Sequence, residues 1–396
     1  MYLTEKHIIK KTHPFYDECD RLCFQSKNIY NQAMYNVRQH YFNNKAYLNY
    51  YANYDLAKTQ ECYDYLPKKV FCQTLKLVDR NFKSFFNSIK SPKVKKAKLP
   101  KYLDKVNGRF VAVFPKQAVG QREFKKNGLL HLSQTEIYIN TKLTEFNSLK
   151  EARVIPKESH YVIEVVYEVK EKVRKTNTNV AAIDLGLNNL STITFNNGET
   201  PLVINGRPIK SINQYYNKQK AHYQSRLKGN KHTSKRIQRL TDKRNNKVTD
   251  YLHNASRMLV NQLVSREITK VVIGKNPNMK QDINIGKVNN QNFVQLPIMR
   301  FADMVKYKCE LEGIKVIYNE ESYTSKCSFL DGEEICKHEV YMGKRVKRGM
   351  FISKEGIKIN ADVNGSYNIM KKAIPNAFAN WIEGVGVHPL VLTIKR

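Results

Sequence analysis

The chain has 396 residues, which is enough for two or three domains with separate cores. Lys and Arg outnumber Asp and Glu by 68 to 35, and this formal net charge of +33 predicts a polyanionic partner such as nucleic acid. No stretch approaches the roughly 20 apolar residues of a membrane span, the N-terminus lacks a signal-peptide pattern, and seven scattered cysteines argue against a disulfide framework. We therefore expect a cytoplasmic protein with no membrane partner.

The first half of the chain predicts a β unit with a helical insertion near its start. Apolar residues recur with a helical period over residues 20–42 and again over 69–90. Four strand-like segments then occupy 108–170, and they fit a small antiparallel barrel or sheet. We assign this unit to residues 1–178, with its helical insertion at about 16–100.

The second half predicts three antiparallel strands followed by helix, strand, helix, strand and helix. The strand-like segments are 180–184, 190–195, 201–205, 270–274 and 314–320. The helical segments are about 208–228, 232–268 and 297–312, with a last helix beginning at about 364. This order of elements is that of the ribonuclease H fold, so the whole chain is predicted to be an α+β multidomain protein.

Two acidic motifs stand out on this basic background. Asp184 lies at the end of a strand in Ala-Ala-Ile-Asp-Leu-Gly-Leu-Asn-Asn-Leu, and Asp362 precedes a predicted helix in Ile-Asn-Ala-Asp-Val-Asn-Gly-Ser-Tyr-Asn-Ile. Each aspartate alone is compatible with a turn or a helix cap. Two-metal phosphodiester chemistry needs carboxylates that converge from distant positions of the sequence. In this topology the pair therefore favours a Mg²⁺ site.

These residues resemble a known family. The motif around Asp184, Tyr-Thr-Ser-Lys-Cys-Ser at 323–328 and Ala-Asp-Val-Asn-Gly-Ser-Tyr-Asn-Ile at 361–369 are similar to the RuvC nuclease motifs of TnpB (OrfB) proteins. Those are insertion-sequence proteins related to the type V CRISPR effectors. The resemblance covers residues 180–372, and the N-terminal half in layout only. It implies a wedge-type β-barrel with a helical recognition insert, a RuvC nuclease domain and a small zinc-ribbon insertion.

On this resemblance the second half divides into four parts. The first part of the nuclease domain is 179–324, a ribbon-like insertion that binds target nucleic acid is 325–356, and the last nuclease motif is 357–375. A C-terminal tail occupies 376–396.

The chain departs from the family at the second catalytic acid. The family usually has a Glu at the end of the fourth strand, where this chain has Gly274. The next strand ends in Glu320 and Glu321, and adjacent strand ends lie about 4.8 Å apart, so a Glu there can reach the same ions. The chain resembles family branches with a relocated acid in a Glu-x-x-Thr-Ser context, and this resemblance implies Glu321. Glu320 faces the other side of the strand and stays as the fallback. A site without a working third acid is the remaining possibility.

A second departure concerns zinc. The family ribbon usually carries two Cys-x-x-Cys pairs, whereas this insertion offers only Cys327, Cys336 and His338, with Leu330 at the position of a pairing cysteine. Tetrahedral zinc needs four ligands. The ligand count therefore disfavours a structural zinc.

Two basic segments are candidate nucleic-acid contacts. The segment 207–247 holds 13 Lys or Arg and one acid, with Tyr215, Tyr216 and Tyr223 between the charges. A second run crosses the insertion, and there a merely solvated charge run is an equal alternative. The candidates are Lys218, Lys220, Arg226, Lys235, Arg236, Arg239, Lys243, Arg244, Lys344, Arg345, Lys347 and Arg348.

The favoured function is an RNA-guided DNA endonuclease encoded by a transposable element. Asp184, Glu321 and Asp362 would hold two Mg²⁺ ions, and the partners would be a guide RNA from the protein's own locus and a double-stranded DNA target. Two alternatives stay open: a nuclease-dead, RNA-guided repressor, for which Gly274 speaks, and an RNA-binding or junction-binding protein without a guide.

Overall fold

A computed structural model describes residues 1–91, 97–173, 176–229, 231–276, 296–347, 349–378 and 386–394. The chain forms a mixed α/β fold with two compact units, Met1–Val169 and Lys170–Arg396. Within the described ranges, no helix has both the length and the apolar character needed to cross a bilayer.

The first unit packs long helices against an antiparallel sheet. Its strands are β1 (Tyr2–Ile9), β2 (Ala112–Pro115), β3 (Val119–Gly120), β4 (Leu129–Leu132), β5 (Tyr138–Asn140), β6 (Leu149–Pro156) and β7 (Tyr161–Glu168). Its helices are α1 (Tyr16–Asn44), α2 (Tyr50–Ala57), α3 (Lys68–Lys90) and α4 (Gln121–Asn127). The strands form two antiparallel sheets, ordered β1-β7-β6-β2 and β3-β4-β5.

The helical period identified α1 and α3 correctly, and the apolar stripe of α3 is buried through Phe71, Leu75, Val78 and Phe82. The sequence pattern did not predict α2, β3, β6 or α4. Strand β6 reads Leu-Lys-Glu-Ala-Arg-Val-Ile-Pro, and its charged residues interrupt the apolar alternation. Helix α4 has only seven residues and no buried side chain, so the sequence shows no apolar stripe that would predict it. It ends at Gly128, whose φ of 70° is the left-handed conformation that suits glycine.

The second unit is built on one six-stranded sheet. Its strands are β8 (Val180–Leu185), β9 (Asn189–Phe195), β10 (Leu202–Asn205), β11 (Lys270–Lys275), β12 (Lys315–Glu320) and β16 (Leu390–Leu392). The sheet order is β12-β11-β8-β9-β10-β16. Strands β8, β9 and β10 form an antiparallel meander, and β11 and β12 run parallel to β8. This is the order of elements expected from the sequence.

The helices of this unit are α5 (Arg207–Gln224), α6 (Lys235–Ser265), α7 (Ile298–Leu311) and α8 (Ala361–Ala373). Helix α8 begins three residues before the predicted start near residue 364. The side chain of Asn360 caps it by accepting hydrogen bonds from the backbone N–H groups of Asp362 and Val363. Asp362 therefore lies inside the first turn, and it is not the capping residue.

A small three-stranded sheet occupies the insertion between β12 and α8. It consists of β13 (Lys344–Lys347), β14 (Met350–Ile352) and β15 (Lys358–Asn360), paired antiparallel in that order. The segment predicted as a C-terminal tail contributes β16, which pairs parallel to β10 and extends the large sheet. Trp381 lies outside the described residues.

Candidate active site

Asp184 lies at the centre of the large sheet. Strand β8 has β9 on one side, with Asp184 opposite Thr192, and β11 on the other side. Helix α8 packs across these strands, where Ser366 Oγ donates to the carbonyl of Ala182 at 3.1 Å or of Thr192 at 3.3 Å. A Cβ on Gly365 would stand 3.2 Å from Asp184 Oδ2. The helix can therefore approach the carboxylate this closely because residue 365 has no side chain.

The Asp184 carboxyl group is in an unfavourable environment for a negative charge. Burial raises its pKa well above the ordinary value, and the negative charges of Asp362 and Glu321 raise it further. The positive charge of Arg345 and a backbone hydrogen bond from Leu185 act in the opposite direction. The structure thus brings Glu321 and Asp362 within electrostatic reach of Asp184, although the three acids come from separate elements.

Glu321 fills the space above Gly274. A Cβ on Gly274 would meet Glu321 Oε2 at 2.8 Å and Ile369 Cδ1 at 2.6 Å. Burial, followed by the neighbouring charge of Glu320, raises the pKa of Glu321. A glutamate at position 274 would need the room that the side chain of Glu321 already occupies. The acid absent from β11 thus has a counterpart from the end of β12.

Glu320 points elsewhere. Its carboxylate pairs with Lys372 Nζ at 2.7 Å and accepts a hydrogen bond from the backbone N–H of Ser322 at 2.8 Å. The side chain is half exposed, and these partners, with Lys372 first, lower the pKa of Glu320. A basic partner such as Lys372 fits a Glu320 side chain that faces the opposite side of the strand from Glu321.

Asp362 is held by two residues from different elements. Asn189 Nδ2 donates to Asp362 Oδ2 at 2.7 Å, and Arg345 Nη2 lies 3.5 Å from Asp362 Oδ1. Asn189 belongs to the same motif as Asp184, but sequence reasoning gave it no role. The position of Asn189 in the same motif as Asp184 was the sequence signal that could have identified this role. Arg345, on β13, brings a positive charge from the insertion to the acidic cluster.

The donors suit a hard divalent cation in chemical type. Oxygen ligands from carboxylates are those that Mg²⁺ prefers, and repulsion among three carboxylates favours a cation between them. Within the described ranges, however, no three His, Cys, Asp or Glu side chains already form a metal centre. The cluster is therefore a set of candidate ligands whose final positions depend on what binds there.

The basic helical pair α5 and α6 carries an exposed charged stripe. Lys235, Arg239, Lys243 and Lys247 follow one another at intervals of four along α6, and all four are exposed. Because residues four apart share a helix face, these charges form one line. Lys218, Arg226 and Arg236 are also exposed, while Lys220 is half-buried.

Two residues of this region have structural partners. Tyr216 is buried, and its hydroxyl lies 3.1 Å from Thr241 Oγ1, so it joins α5 to α6. Arg244 is half-buried, and its Nε donates to Asn213 Oδ1 at 2.7 Å. Tyr215, by contrast, is 64% exposed, and the Arg236 guanidinium stacks 4.3 Å from the ring centre of Tyr223. Tyr216 and Arg244 thus contribute to packing.

In the insertion, Lys344, Arg345 and Lys347 lie on β13 and are exposed. Arg348 lies outside the described residues. Asn364 on α8 holds the insertion: its Oδ1 accepts from the Phe329 N–H at 2.9 Å and its Nδ2 donates to the Cys327 carbonyl at 2.9 Å.

Comparison with known proteins gives two family matches. Residues 164–280 match OrfB_IS605, described as a probable transposase, and residues 299–369 match the Cas12f1-like TNB domain. The TnpB-like protein ORF457 of Acidianus two-tailed virus is 24% identical over 230 residues, which cover 55% of this chain and 47% of that protein. The chain thus spans about half the length of this relative.

Solved structures of Cas12 proteins are also similar. The Cas12f1–sgRNA–target DNA complex is 14% identical with a TM-score of 0.38, and the match covers 94% of this chain and 100% of that one. The mini-RNA-guided endonuclease CRISPR-Cas_phi3 is 9% identical with a TM-score of 0.46, covering 98% and 94%.

The fold and the site define a mixed α/β multidomain protein with an acidic cluster on its large sheet. The two family matches and the TnpB-like relative show that the second half of the chain is similar to TnpB (OrfB) proteins.

Proposed function

We propose that this protein is an RNA-guided DNA endonuclease of the RuvC type, encoded by a transposable element. The observation that carries the proposal is the carboxylate of Glu321 in the space above Gly274, within electrostatic reach of Asp184. A chain that had simply lost its second acid would have no reason to keep a half-buried glutamate there. This arrangement favours a nuclease over the RNA-guided repressor for which Gly274 speaks.

The chemistry follows from the acidic cluster. Asp184, Glu321 and Asp362 would hold two Mg²⁺ ions, which supply activation of water and stabilisation of the leaving oxygen in phosphodiester hydrolysis. Asn189 fixes one oxygen of Asp362, and Gly365 leaves room for the Asp184 carboxylate. These contacts orient the two aspartates toward the same space.

The remaining parts would handle the nucleic acids. Residues 1–178 are proposed as the wedge and helical recognition part that holds the guide RNA from the protein's own locus. The exposed stripe of α6 would bind the phosphate backbone of the guide–target hybrid or of the displaced strand. Lys344 and Lys347 on β13 would contact target DNA. Pairing between guide and target would supply sequence specificity.

One experiment tests the proposal. The protein is purified after co-expression with its own locus, the bound RNA is sequenced, and the complex is incubated with matching duplex DNA and Mg²⁺. The proposal expects a specific RNA and a cut target. A bound but uncut target would favour the repressor, and the absence of any specific RNA would exclude both guided functions.

A further inference from the structure

The insertion 325–356 has a buried carboxylate at its centre. Glu333 is only 4% exposed, and each of its two oxygens accepts a hydrogen bond from the backbone. Oε2 accepts from the Ser328 N–H at 2.6 Å, and Oε1 accepts from the Met342 N–H at 3.0 Å. Ser328 follows β12 and Met342 precedes β13. A single side chain therefore joins the two ends of the loop.

The candidate zinc ligands do not fit a zinc ribbon. The segment has three Cys or His residues, whereas tetrahedral zinc needs four ligands. The thiol of Cys327 donates to the Cys336 carbonyl at 3.6 Å. Glu333 Oε1 also lies 3.9 Å from His338 Nε2, but among the described residues no three His, Cys, Asp or Glu side chains are arranged to hold a metal ion.

Helix α8 supports the same loop from its other side. Lys371 Nζ donates to the carbonyl of Gly332 at 2.8 Å and of Glu333 at 3.1 Å, while Asn368 Nδ2 donates to the Cys327 carbonyl at 2.7 Å. Buried polar groups are costly unless they are paired, and these contacts pair the carbonyls of Cys327, Gly332 and Glu333 without a metal. The loop is therefore held together by its own side chains and by those of α8.

We infer that Glu333 replaces zinc as the centre of this insertion and acts as a positioning residue for the acidic site. Met342 lies three residues before Arg345, whose guanidinium reaches Asp362. By fixing Met342, Glu333 sets where β13 begins and thus where Arg345 lies. The effect on cleavage rests on the proposed function, whereas the metal-free architecture does not.

The first test measures the metal and the fold of the full-length chain. We expect less than about 0.1 zinc per chain, because the segment does not offer the set of four ligands that zinc needs. A zinc chelator should leave hydrogen exchange across 325–347 unchanged. Glu333→Gln should raise exchange there, while the control Glu334→Gln, at an exposed neighbour, should not. Stoichiometric zinc whose removal unfolds the loop would overturn the inference.

The second test separates positioning from general loss of stability. Cleavage is compared in Glu333→Gln, Arg345→Ala and the double variant. If Glu333 acts through Arg345, the double variant should cleave no more slowly than Arg345→Ala alone. Fully additive losses would contradict the positioning role. If none of these proteins cleaves, including the wild type, the proposed nuclease function fails, while the zinc and exchange measurements still decide the architecture.

Discussion

Glu321 and Gly274 occupy complementary space on adjacent strands: a Cβ on Gly274 would stand 2.8 Å from Glu321 Oε2. Strands β11 and β12 pair in parallel, and Gly274 lies opposite Asn319. Glu321 therefore comes two residues after the residue that pairs with Gly274. A larger side chain at position 274 and the present side chain of Glu321 would therefore compete for the same space.

Gly274→Ala should destabilise the protein more in the wild type than in a Glu321→Ala background. The added Cβ meets both Ile369 and Glu321, and only the second obstacle disappears in the double variant. A double-mutant cycle of thermal or denaturant unfolding should give a coupling of about 1 kcal/mol. Strict additivity would show that the two side-chain positions do not compete.

Gly365→Ala should separate stability from activity. Alanine in a helix interior is intrinsically favoured over glycine by about 1 kcal/mol, so the protein should unfold at a similar or higher temperature. Its Cβ would crowd Asp184 Oδ2, and a misplaced ligand should slow cleavage by about ten- to a hundredfold. Cleavage at the wild-type rate would mean that the Asp184 carboxylate can move away from the added Cβ without any loss of activity.

Much of the fold of the second unit followed from hydrophobic periodicity, because its buried strands and long helices have clear patterns. The start of α8 did not: its cap is Asn360, and the apolar period becomes visible only later in the helix. The acids could be found from their motifs. The roles of Asn189 and Gly365 could not, because each depends on how α8 lies across β8 and β9. Similarly, the sequence placed Tyr216 among the basic residues of a candidate nucleic-acid contact, whereas its ring is buried against α6.

The exposed stripe of α6 should control the salt dependence of nucleic-acid binding. Replacing Arg239 and Lys243 by Gln should reduce the slope of log affinity against log salt by about 0.7–0.9 for each phosphate that is no longer neutralised. The matched control is Arg244→Gln, because Arg244 is half-buried against Asn213. The control should lower stability with little effect on the slope. Equal slopes in the double variant and the wild type would show that the stripe does not contact the nucleic acid.

Lys308 should make stability depend on alkaline pH. It is 4% exposed and donates to Ser256 Oγ at 2.6 Å, and burial, then Arg257, lower its pKa to about 8. Between about pH 8 and the ordinary lysine pKa near 10.4, the unfolded chain binds more protons than the folded one, so this residue's contribution to stability rises with pH. Below about pH 8, Lys308 is charged in both the folded and the unfolded chain, so the full free-energy cost of burying its charge is present.

The Lys308→Met variant tests this sign. It should unfold with a free energy higher by roughly 1–3 kcal/mol at pH 7, because no charge has to be buried. The advantage should shrink as the pH rises from about 8 toward about 10.4. Denaturant titrations of both proteins across this range give the difference directly, and a difference independent of pH would contradict the lowered pKa.

The central claim is that Glu321 completes the acidic site with Asp184 and Asp362. The most direct measurement compares Glu321→Gln with Glu320→Gln, both loaded with the RNA from the protein's locus, in Mg²⁺-dependent cleavage of matching DNA. Glu321→Gln should lose at least about a hundredfold in rate while still binding RNA and target, and Glu320→Gln, which removes only the Lys372 pair, should cleave within about threefold of wild type. Unimpaired cleavage by Glu321→Gln would contradict the account.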